Sequence, residues 1–252
     1  MPNTSPPPPL TSLADLPAQM ATAGFAVLDA ATTARLAGWP APPQDWGPHW
    51  DDLPPDRYLR DGGRYRRRRH GCFVVEGAGI EAVPHRAHWQ PVEYNALHGG
   101  IERWFEPLPP ALAADARWAS MLAGLAGVAA GLHPAACWFA EAHVFRIDTT
   151  DGIGRPTPEG AHRDGVDLVA VFLVARQGVK GGETRVFDVR GPQGVRFTLA
   201  EPWSLLLLDD ARVIHESTPI QPVDAAAAAH RDTLVVTLRR DGFQGPQAML
   251  SA

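Results

Sequence analysis

Apolar and polar residues alternate with a period of two along the second half of the chain, from Cys137 onward. This alternation is typical of strands that bury one face. Pairs of residues that favour turns, Gly181-Gly182 and Gly191-Pro192, separate the alternating segments. The pattern predicts strands at Cys137–Ile147, Asp167–Ala175, Thr184–Asp188, Val195–Leu199, Ser204–Leu208, Arg212–Glu216 and Asp232–Leu238.

The first half of the chain combines helical spacing with a few strand-like segments. Ser12 and Asp15 form a capping-box pattern, and apolar residues follow at helical spacing until Gly24, which predicts a first helix. Three glycines interrupt a later segment rich in alanine and leucine, which favours two short helices or close backbone packing. The other predicted elements are a strand at Phe25–Leu28, a helix at Ala31–Ala37, an ordered loop over 40–60, a strand from Arg64 to Glu76 and the helical segment Pro109–Leu132.

This order of elements predicts a mainly β protein with flanking helices, in which the helices pack on a β-barrel or a two-sheet jelly roll. The length of 252 residues fits one large β-rich domain. We predict a disordered proline-rich leader at 1–11 and a single domain over 12–252. Within that domain, we expect a helical and irregular part at 12–135 and a jelly-roll core at 136–240.

Composition and charge exclude several classes of protein. A formal net charge of −5 argues against a nucleic-acid binder, because contacts to phosphates need a basic surface. No apolar run approaches the roughly 20 residues of a membrane span. The two cysteines, Cys72 and Cys137, are few for a chain of this length and fit a reducing compartment. With no signal-peptide pattern at the N-terminus, we predict a cytoplasmic protein; its oligomeric state is left open.

The segment Arg64–Arg69 contains the most basic run of the chain. As a strand, it directs alternate arginines to opposite faces. One interpretation is a binding surface for an anionic substrate or partner. The other is a solvated edge strand or loop that its charges protect from aggregation.

Three side chains have the composition of a metal site. His162 and Asp164 are two residues apart at the start of a predicted strand, so they point to the same face. His215 follows the apolar pair Val213-Ile214 in another strand, where a buried imidazole needs a partner. Two imidazoles and one carboxylate form the facial set of non-haem Fe(II) oxygenases, and they also suit catalytic zinc. The alternative is a turn histidine and a core histidine without a metal.

Arg231 and Thr233 share one face of the last predicted strand. A guanidinium in an apolar wall needs a carboxylate or a phosphate to offset its burial. Arg231 is therefore a candidate anion anchor. The alternative is an ion pair with Asp210 or Glu216.

Several stretches of the chain resemble a bacterial family of Fe(II)/2-oxoglutarate-dependent dioxygenases, the one that includes free L-amino-acid hydroxylases of the L-isoleucine dioxygenase type. The similarity is strong over about 136–240, weaker at Gln90, Asn95 and 99–107, and absent from the first sixty residues. A five-alanine insert lengthens the spacing between the second histidine and the arginine. The similar stretches are Pro158–Gly165, Gly181–Thr184, Leu208–His215 and Arg231–Thr237.

The resemblance implies a double-stranded β-helix, or jelly roll, that binds Fe(II) through His162, Asp164 and His215. It implies 2-oxoglutarate as co-substrate, with its distal carboxylate paired to Arg231 and hydrogen-bonded by Thr233. It also implies O2 as oxidant and succinate and CO2 as products.

The expected substrate is a small molecule, a free L-amino acid or an amino-acid-derived metabolite. Arg146 or Arg163 is a candidate partner for its carboxylate and Glu159 for its ammonium, with Gln90 and Asn95 at the same mouth. The alternatives are a carrier-bound or peptide substrate, docked on the basic run, and a non-catalytic metal-binding jelly-roll sensor. A sensor would need the metal ligands but no co-substrate anchor.

The remaining histidines show no metal-binding pattern in the sequence. His85 and His88 have helical spacing, but Pro84 and Trp89 leave no clear helix to align them. His70 has no recognisable partner.

Overall fold

A computed structural model describes residues 6–77 and 79–246 of the protein. Its helices are α1 (Leu16–Ala23), α2 (Ala30–Leu36), α3 (Pro110–Ala113) and α4 (Ala116–Leu132), with a 3-10 helix at Gln44–Trp50. Its strands are β1 (Phe25–Leu28), β2 (Arg66–Glu76), β3 (Gly79–Ala82), β4 (Cys137–Asp148), β5 (Leu168–Gln177), β6 (Val179–Gly181), β7 (Thr184–Asp188), β8 (Gly194–Phe197), β9 (Leu205–Asp209), β10 (Val213–Ser217), β11 (Ile220–Pro222) and β12 (His230–Arg239).

An antiparallel seven-stranded sheet forms the larger half of the fold, with the strand order β1-β9-β5-β12-β4-β2-β3. The long strands β4 and β12 pair along their whole length, from His230 opposite Asp148 to Arg239 opposite Phe139. β1 and β2 come from the first 80 residues and lie in the same sheet as the C-terminal strands. Both halves of the chain therefore contribute to one sheet.

A smaller sheet, β10-β7-β8, and the pair β11-β6 face the larger sheet. Val186, Phe197 and Val213 of the smaller sheet pack with Val169 and Leu206 of the larger one. This arrangement is a jelly roll of mainly antiparallel strands with flanking helices, which confirms the predicted fold class.

Period-two alternation divides the larger sheet into two faces. Leu234 and Val236 of β12 pack in the core that also contains Met20 of α1 and Trp118 and Leu125 of α4. The residues between them point to the opposite face, toward the smaller sheet. The helices thus cover the outer face and leave the inner face free to form a cavity.

Tryptophans fix the loop over 40–60 to this outer core. Trp39 and Trp46 contact each other and Trp203 edge to face, with ring centroids 5.4 to 5.9 Å apart. The Trp50 indole N–H donates to the carbonyl of Thr233 on β12. The segment is ordered by aromatic packing, as predicted from its composition.

The structure differs from the sequence-based prediction in three short strands and in the surroundings of β2. The three- and four-residue strands β3, β6 and β11 were not predicted. The basic run is not a solvated edge, because β2 lies between β4 and β3 and its Arg66 and Arg68 are buried.

The first described residues are paired with the larger sheet. Residues 1–5 of the predicted leader lie outside the described residues, but Leu10 already forms a bridge to Val27 of β1. Within the described part of the chain, no helix is both long enough and apolar enough to cross a membrane.

Candidate active site

A cavity of about 140 Å³ lies between the two sheets. The inward-facing residues of β12 that line it are Arg231, Thr233, Val235 and Thr237. Residues of β2 and β4 continue this wall, and His215 and Ser217 of β10 line the opposite side.

The three predicted metal ligands meet in this cavity. The backbones of His162 and His215 form a bridge, with N···O distances of 3.0 Å in both directions. His162 Nε2 lies 3.8 Å from Asp164 Oδ1, and His215 Nε2 lies 3.8 Å from Asp164 Oδ2. One ligand atom from each side chain lies within 4.8 Å of the others. The strand pairing that joins β10 to the segment before β5 therefore gathers the three side chains.

Asp210 shapes the loop that carries Asp164. Its buried carboxylate accepts hydrogen bonds from the backbone N–H groups of Asp164, Gly165 and Val166, at 3.0, 2.7 and 3.1 Å. Gly165 has φ +75°, and a Cβ there would lie 2.5 Å from the ring of Tyr94. The loop therefore requires glycine at this position. This role of Asp210 was not predicted.

Gln90 connects Asp164 to the other side of the cavity. Its Nε2 donates to Asp164 Oδ1 at 3.0 Å, and its Oε1 accepts from Asn95 Nδ2 and Arg103 NH2 at 3.0 and 2.9 Å. A flipped amide would put nitrogen against two donors, so the network fixes its orientation. The contacts agree with a residue that positions Asp164.

The two histidines differ in their electrostatic surroundings. Burial lowers the pKa of His162, but the carboxylates of Asp164 and Glu159 outweigh burial and raise this pKa above its ordinary value. Burial lowers the pKa of His215 to about 3, and its Nδ1 has no hydrogen-bond partner among the described residues. Two imidazoles and a carboxylate directed at one point fit a divalent metal, because a metal needs unprotonated nitrogen donors.

Arg231 is buried in the cavity wall with no ion pair or hydrogen bond to its guanidinium in the described chain. Burial and the nearby Arg176 lower its pKa to about 10, so it is positively charged at neutral pH. The alternative ion pairs are not formed, since Asp210 binds backbone N–H groups and Glu216 pairs with Arg185. A buried unpaired guanidinium beside Thr233 fits a carboxylate-bearing co-substrate.

The predicted substrate residues are divided between two places. Glu159 and Gln90 line the cavity. Arg146 does not; its guanidinium is held outside the cavity wall by Asp232 at 2.8 Å and Asp51 at 3.0 Å. Arg146 is therefore not available to a substrate carboxylate there.

Arg163, the second candidate for the carboxylate, also lies outside the cavity wall and donates to the carbonyl of Asp210. Three other arginines face the cavity instead: Arg66, Arg68 and Arg103.

A second cluster of polar residues, of which His88, Glu141 and His143 line the cavity, was missed by sequence reasoning. His70, His88, Glu141 and His143 are all buried, and they also offer ligand-type atoms within 4.8 Å of one another. His70 pairs with His143 across β2 and β4. The sequence pattern that could have identified this cluster is the period-two alternation of β2 and β4, which puts Glu141 and His143 on the inward face.

A jelly roll that joins two histidines, a carboxylate and an unpaired arginine in one cavity defines a metal-dependent oxygenase. The family model of the 2OG-Fe dioxygenases matches residues 47–237, and the chain belongs to that family. Members use Fe(II), 2-oxoglutarate and O2. The protein is thus a non-haem Fe(II)- and 2-oxoglutarate-dependent dioxygenase.

Solved structures share the fold of this chain. A bsmA homolog from Methylobium petroleophilum is 55% identical, with 94% of this chain and 96% of that chain covered and a TM-score of 0.89. IDO from Bacillus thuringiensis is 15% identical, with 92% and 96% covered and a TM-score of 0.72. The Fe(II)/α-ketoglutarate-dependent dioxygenase TqaL is 19% identical, with 90% and 86% covered and a TM-score of 0.69. The latter two show a shared fold. No curated protein matches the sequence.

Proposed function

We propose that this dioxygenase hydroxylates a free L-amino acid or a small amino-acid-derived metabolite and releases succinate and CO2. In this proposal, His162, Asp164 and His215 hold Fe(II), and Arg231 and Thr233 bind the distal carboxylate of 2-oxoglutarate. Bound Fe(II) and 2-oxoglutarate supply the activation of O2 for oxidation of a C–H bond. The chain's own residues bind, orient and enclose the substrate.

One observation carries the amino-acid part of the proposal: beside the metal ligands, an acidic and a basic side chain of the cavity each have a buried polar atom without a hydrogen bond. Glu159 Oε2 is buried without a hydrogen-bond partner among the described residues, and so is Arg103 Nε. Both residues line the cavity. A molecule with one ammonium and one carboxylate satisfies both groups, so we assign the substrate ammonium to Glu159 and the carboxylate to Arg103.

The peptide or carrier alternative loses its proposed docking surface. Arg66 and Arg68 point into the cavity and lie near Asp56, at 2.7 and 3.8 Å. Arg67 and Arg69 pair with Asp148 and Glu106 on the other face. The run is split between two environments and forms no continuous basic stripe.

Incubation with Fe(II), ascorbate, 2-oxoglutarate and a panel of free amino acids tests the proposal. We expect one amino acid to stimulate succinate formation and to gain the mass of one oxygen atom. His162→Ala and Asp164→Ala should abolish this turnover without unfolding the chain, because each removes a metal ligand. Succinate formation that no amino acid stimulates would favour a carrier-bound or peptide substrate, and activity in either variant would disprove the metal site.

A further inference from the structure

The polar group of His70, His88 and Glu141 lies at the end of the cavity remote from Arg231. Arg231 and Thr237 both line the cavity and are six residues apart on β12, which corresponds to about 20 Å at about 3.3 Å per residue. Glu141 on β4 is directly opposite Thr237. If 2-oxoglutarate occupies the Arg231 end, the Glu141 end remains for the substrate.

Glu141 is a buried carboxylate with one committed oxygen and one free oxygen. Its Oε2 accepts hydrogen bonds from His70 Nε2 and His88 Nδ1, both at 2.8 Å. Its Oε1 forms no hydrogen bond within the described parts of the chain, although Glu141 lines the cavity. The carboxylate is therefore fixed in place while part of it stays available to a ligand.

The Glu141 carboxylate is ionised, and the His70 and His88 rings that contact it are neutral. Burial lowers the pKa of His88 to about 3 and also lowers that of His70, so both rings are neutral. Burial raises the pKa of the Glu141 carboxyl, but the two rings that donate to it outweigh burial and leave this pKa below its usual range. Neither hydrogen bond to this ionised carboxylate comes from a cation, because both donors are neutral rings.

The guanidinium of Arg68 is committed to other partners, and its contact with His143 disfavours a second metal ion. Arg68 NH2 donates to His143 Nδ1 at 2.6 Å, and NH1 lies 3.8 Å from Asp56. This contact occupies the His143 lone pair that a metal would need. An organic cation that approaches Glu141 from the cavity does not need to displace any of these bonds.

We propose that Glu141, held by His70 and His88, binds a protonated amine or guanidinium on the side chain of the substrate. This inference rests on the proposed function and narrows it to a basic amino acid or a similar metabolite. With Arg103 and Glu159 assigned to the carboxylate and the α-ammonium, Glu141 is a third ionic contact, and it selects the side chain.

The test compares basic amino acids with neutral analogues of the same shape in the Fe(II)- and 2-oxoglutarate-loaded enzyme. L-lysine is paired with L-norleucine, which lacks only the amine, and L-arginine with L-citrulline. We expect kcat/KM to be at least tenfold higher for the basic member, because a charge-assisted hydrogen bond is lost in the analogue. This comparison needs no variant, so it holds even if substitutions at Glu141 disturb folding.

Glu141→Gln keeps the shape and removes the charge. We expect it to reduce the preference for the basic member tenfold or more, while the KM for 2-oxoglutarate is unchanged. Glu81→Gln, an exposed carboxylate on β3, is the matched control and should behave as the wild type. Calorimetric titration of lysine into the Mn²⁺- and 2-oxoglutarate-loaded protein without O2 should show the same loss of binding.

The outcomes separate this inference from the proposed function. Turnover of a neutral amino acid with kinetics that Glu141→Gln does not change would overturn the inference and leave the proposed function standing. If no amino acid stimulates succinate formation, the proposed function fails and the inference fails with it. A second metal ion per chain that Glu141→Gln removes would overturn the inference in favour of a metal site.

Discussion

At the scale of the single residue, Arg231 shows how a buried charge without a partner points to a ligand. Leaving a guanidinium buried without an anion costs several kcal/mol, and the described chain offers Arg231 no anion. A bound dicarboxylate removes that cost. Arg231 should therefore lower the stability of the ligand-free protein and raise the stability of the complex with 2-oxoglutarate.

Arg231→Leu tests this expectation. In the variant, we expect the KM for 2-oxoglutarate to rise tenfold or more and the KM for the amino acid to change less, because the lost contact is to the co-substrate. Thermal unfolding should show that 2-oxoglutarate raises the Tm of the metal-loaded wild type but not that of the variant. Arg185→Leu, which removes a half-exposed arginine of β7 paired with Glu183 and Glu216, is the control. An unchanged 2-oxoglutarate dependence would move the anchor to another residue.

Gln90 contacts Asp164, a proposed metal ligand, and is not itself one of the proposed ligands. Gln90→Ala removes the donor to Asp164 Oδ1 and the acceptor for Arg103, so we expect the affinity for Co²⁺ or Fe(II) to fall about 10- to 100-fold. A metal titration followed by absorbance or calorimetry measures this change. The Tm of the metal-free variant should also fall, because the Asn95 and Arg103 donors lose their acceptor. Gln221→Ala, at an exposed position on β11, should leave both the metal affinity and the Tm unchanged. Equal metal affinity in the wild type and the Gln90 variant would remove this positioning role.

The residues that sequence reasoning missed share a physical cause. His88 was judged by its helical spacing to His85, but the structure brings it to Glu141 through a loop that no local pattern specifies. Glu141 and His70 lie on neighbouring strands, 71 residues apart in sequence. Contacts of this kind depend on strand register, and one sequence does not reveal which strands are neighbours.

At the scale of the element, the packing of α4 explains one of the glycines in its sequence. A Cβ at Gly124 would lie 2.3 Å from the carbonyl oxygen of Leu36 in α2, whereas a Cβ at Gly127 would meet nothing within 4 Å. Gly124 thus allows close packing of α4 against α2. The sequence predicted either two short helices or close backbone packing for this segment. Each is met in part, because a short α3 precedes the closely packed α4.

The two glycines form a matched pair for a stability measurement. We expect Gly124→Ala to lower the free energy of unfolding by about 1–3 kcal/mol through overpacking, although alanine is the better helix former. Gly127→Ala, on the exposed side, should raise it by about 0.5–1 kcal/mol. Urea unfolding gives both values. Equal effects of the two substitutions would contradict the role of Gly124 in packing.

The strands that sequence prediction missed are among the shortest, whereas the longest strands were all predicted. β4, β5 and β12 each have ten or more residues, and each lies within a few residues of its predicted bounds. β6 and β11 have three residues each, too few to show a period. These short strands are held by pairing with each other, which only the tertiary structure supplies.

At the scale of the whole molecule, the fold class followed from alternation, whereas the charge layout of the cavity did not. The inward face of the larger sheet has Arg231 at one end and Glu141 at the other, both within strands whose opposite face packs on apolar helices. The family resemblance predicted the first end. The second end is a property of this chain's own side chains, and the substrate preference should depend on it.

The wide sequence separation of paired segments also governs the order in which the fold can be completed. The Trp50 indole N–H bonds to Thr233, 183 residues later, and β1 pairs with β9 from the far part of the chain. A ribosome that adds roughly 5–20 residues per second needs roughly 10–40 seconds to make that intervening stretch. During most of this interval, β1 lacks its partner strand β9, and its hydrophobic residues must be tolerated or shielded. Completion of the sheet is therefore limited by synthesis of its last strand, β12, rather than by the local folding of its first.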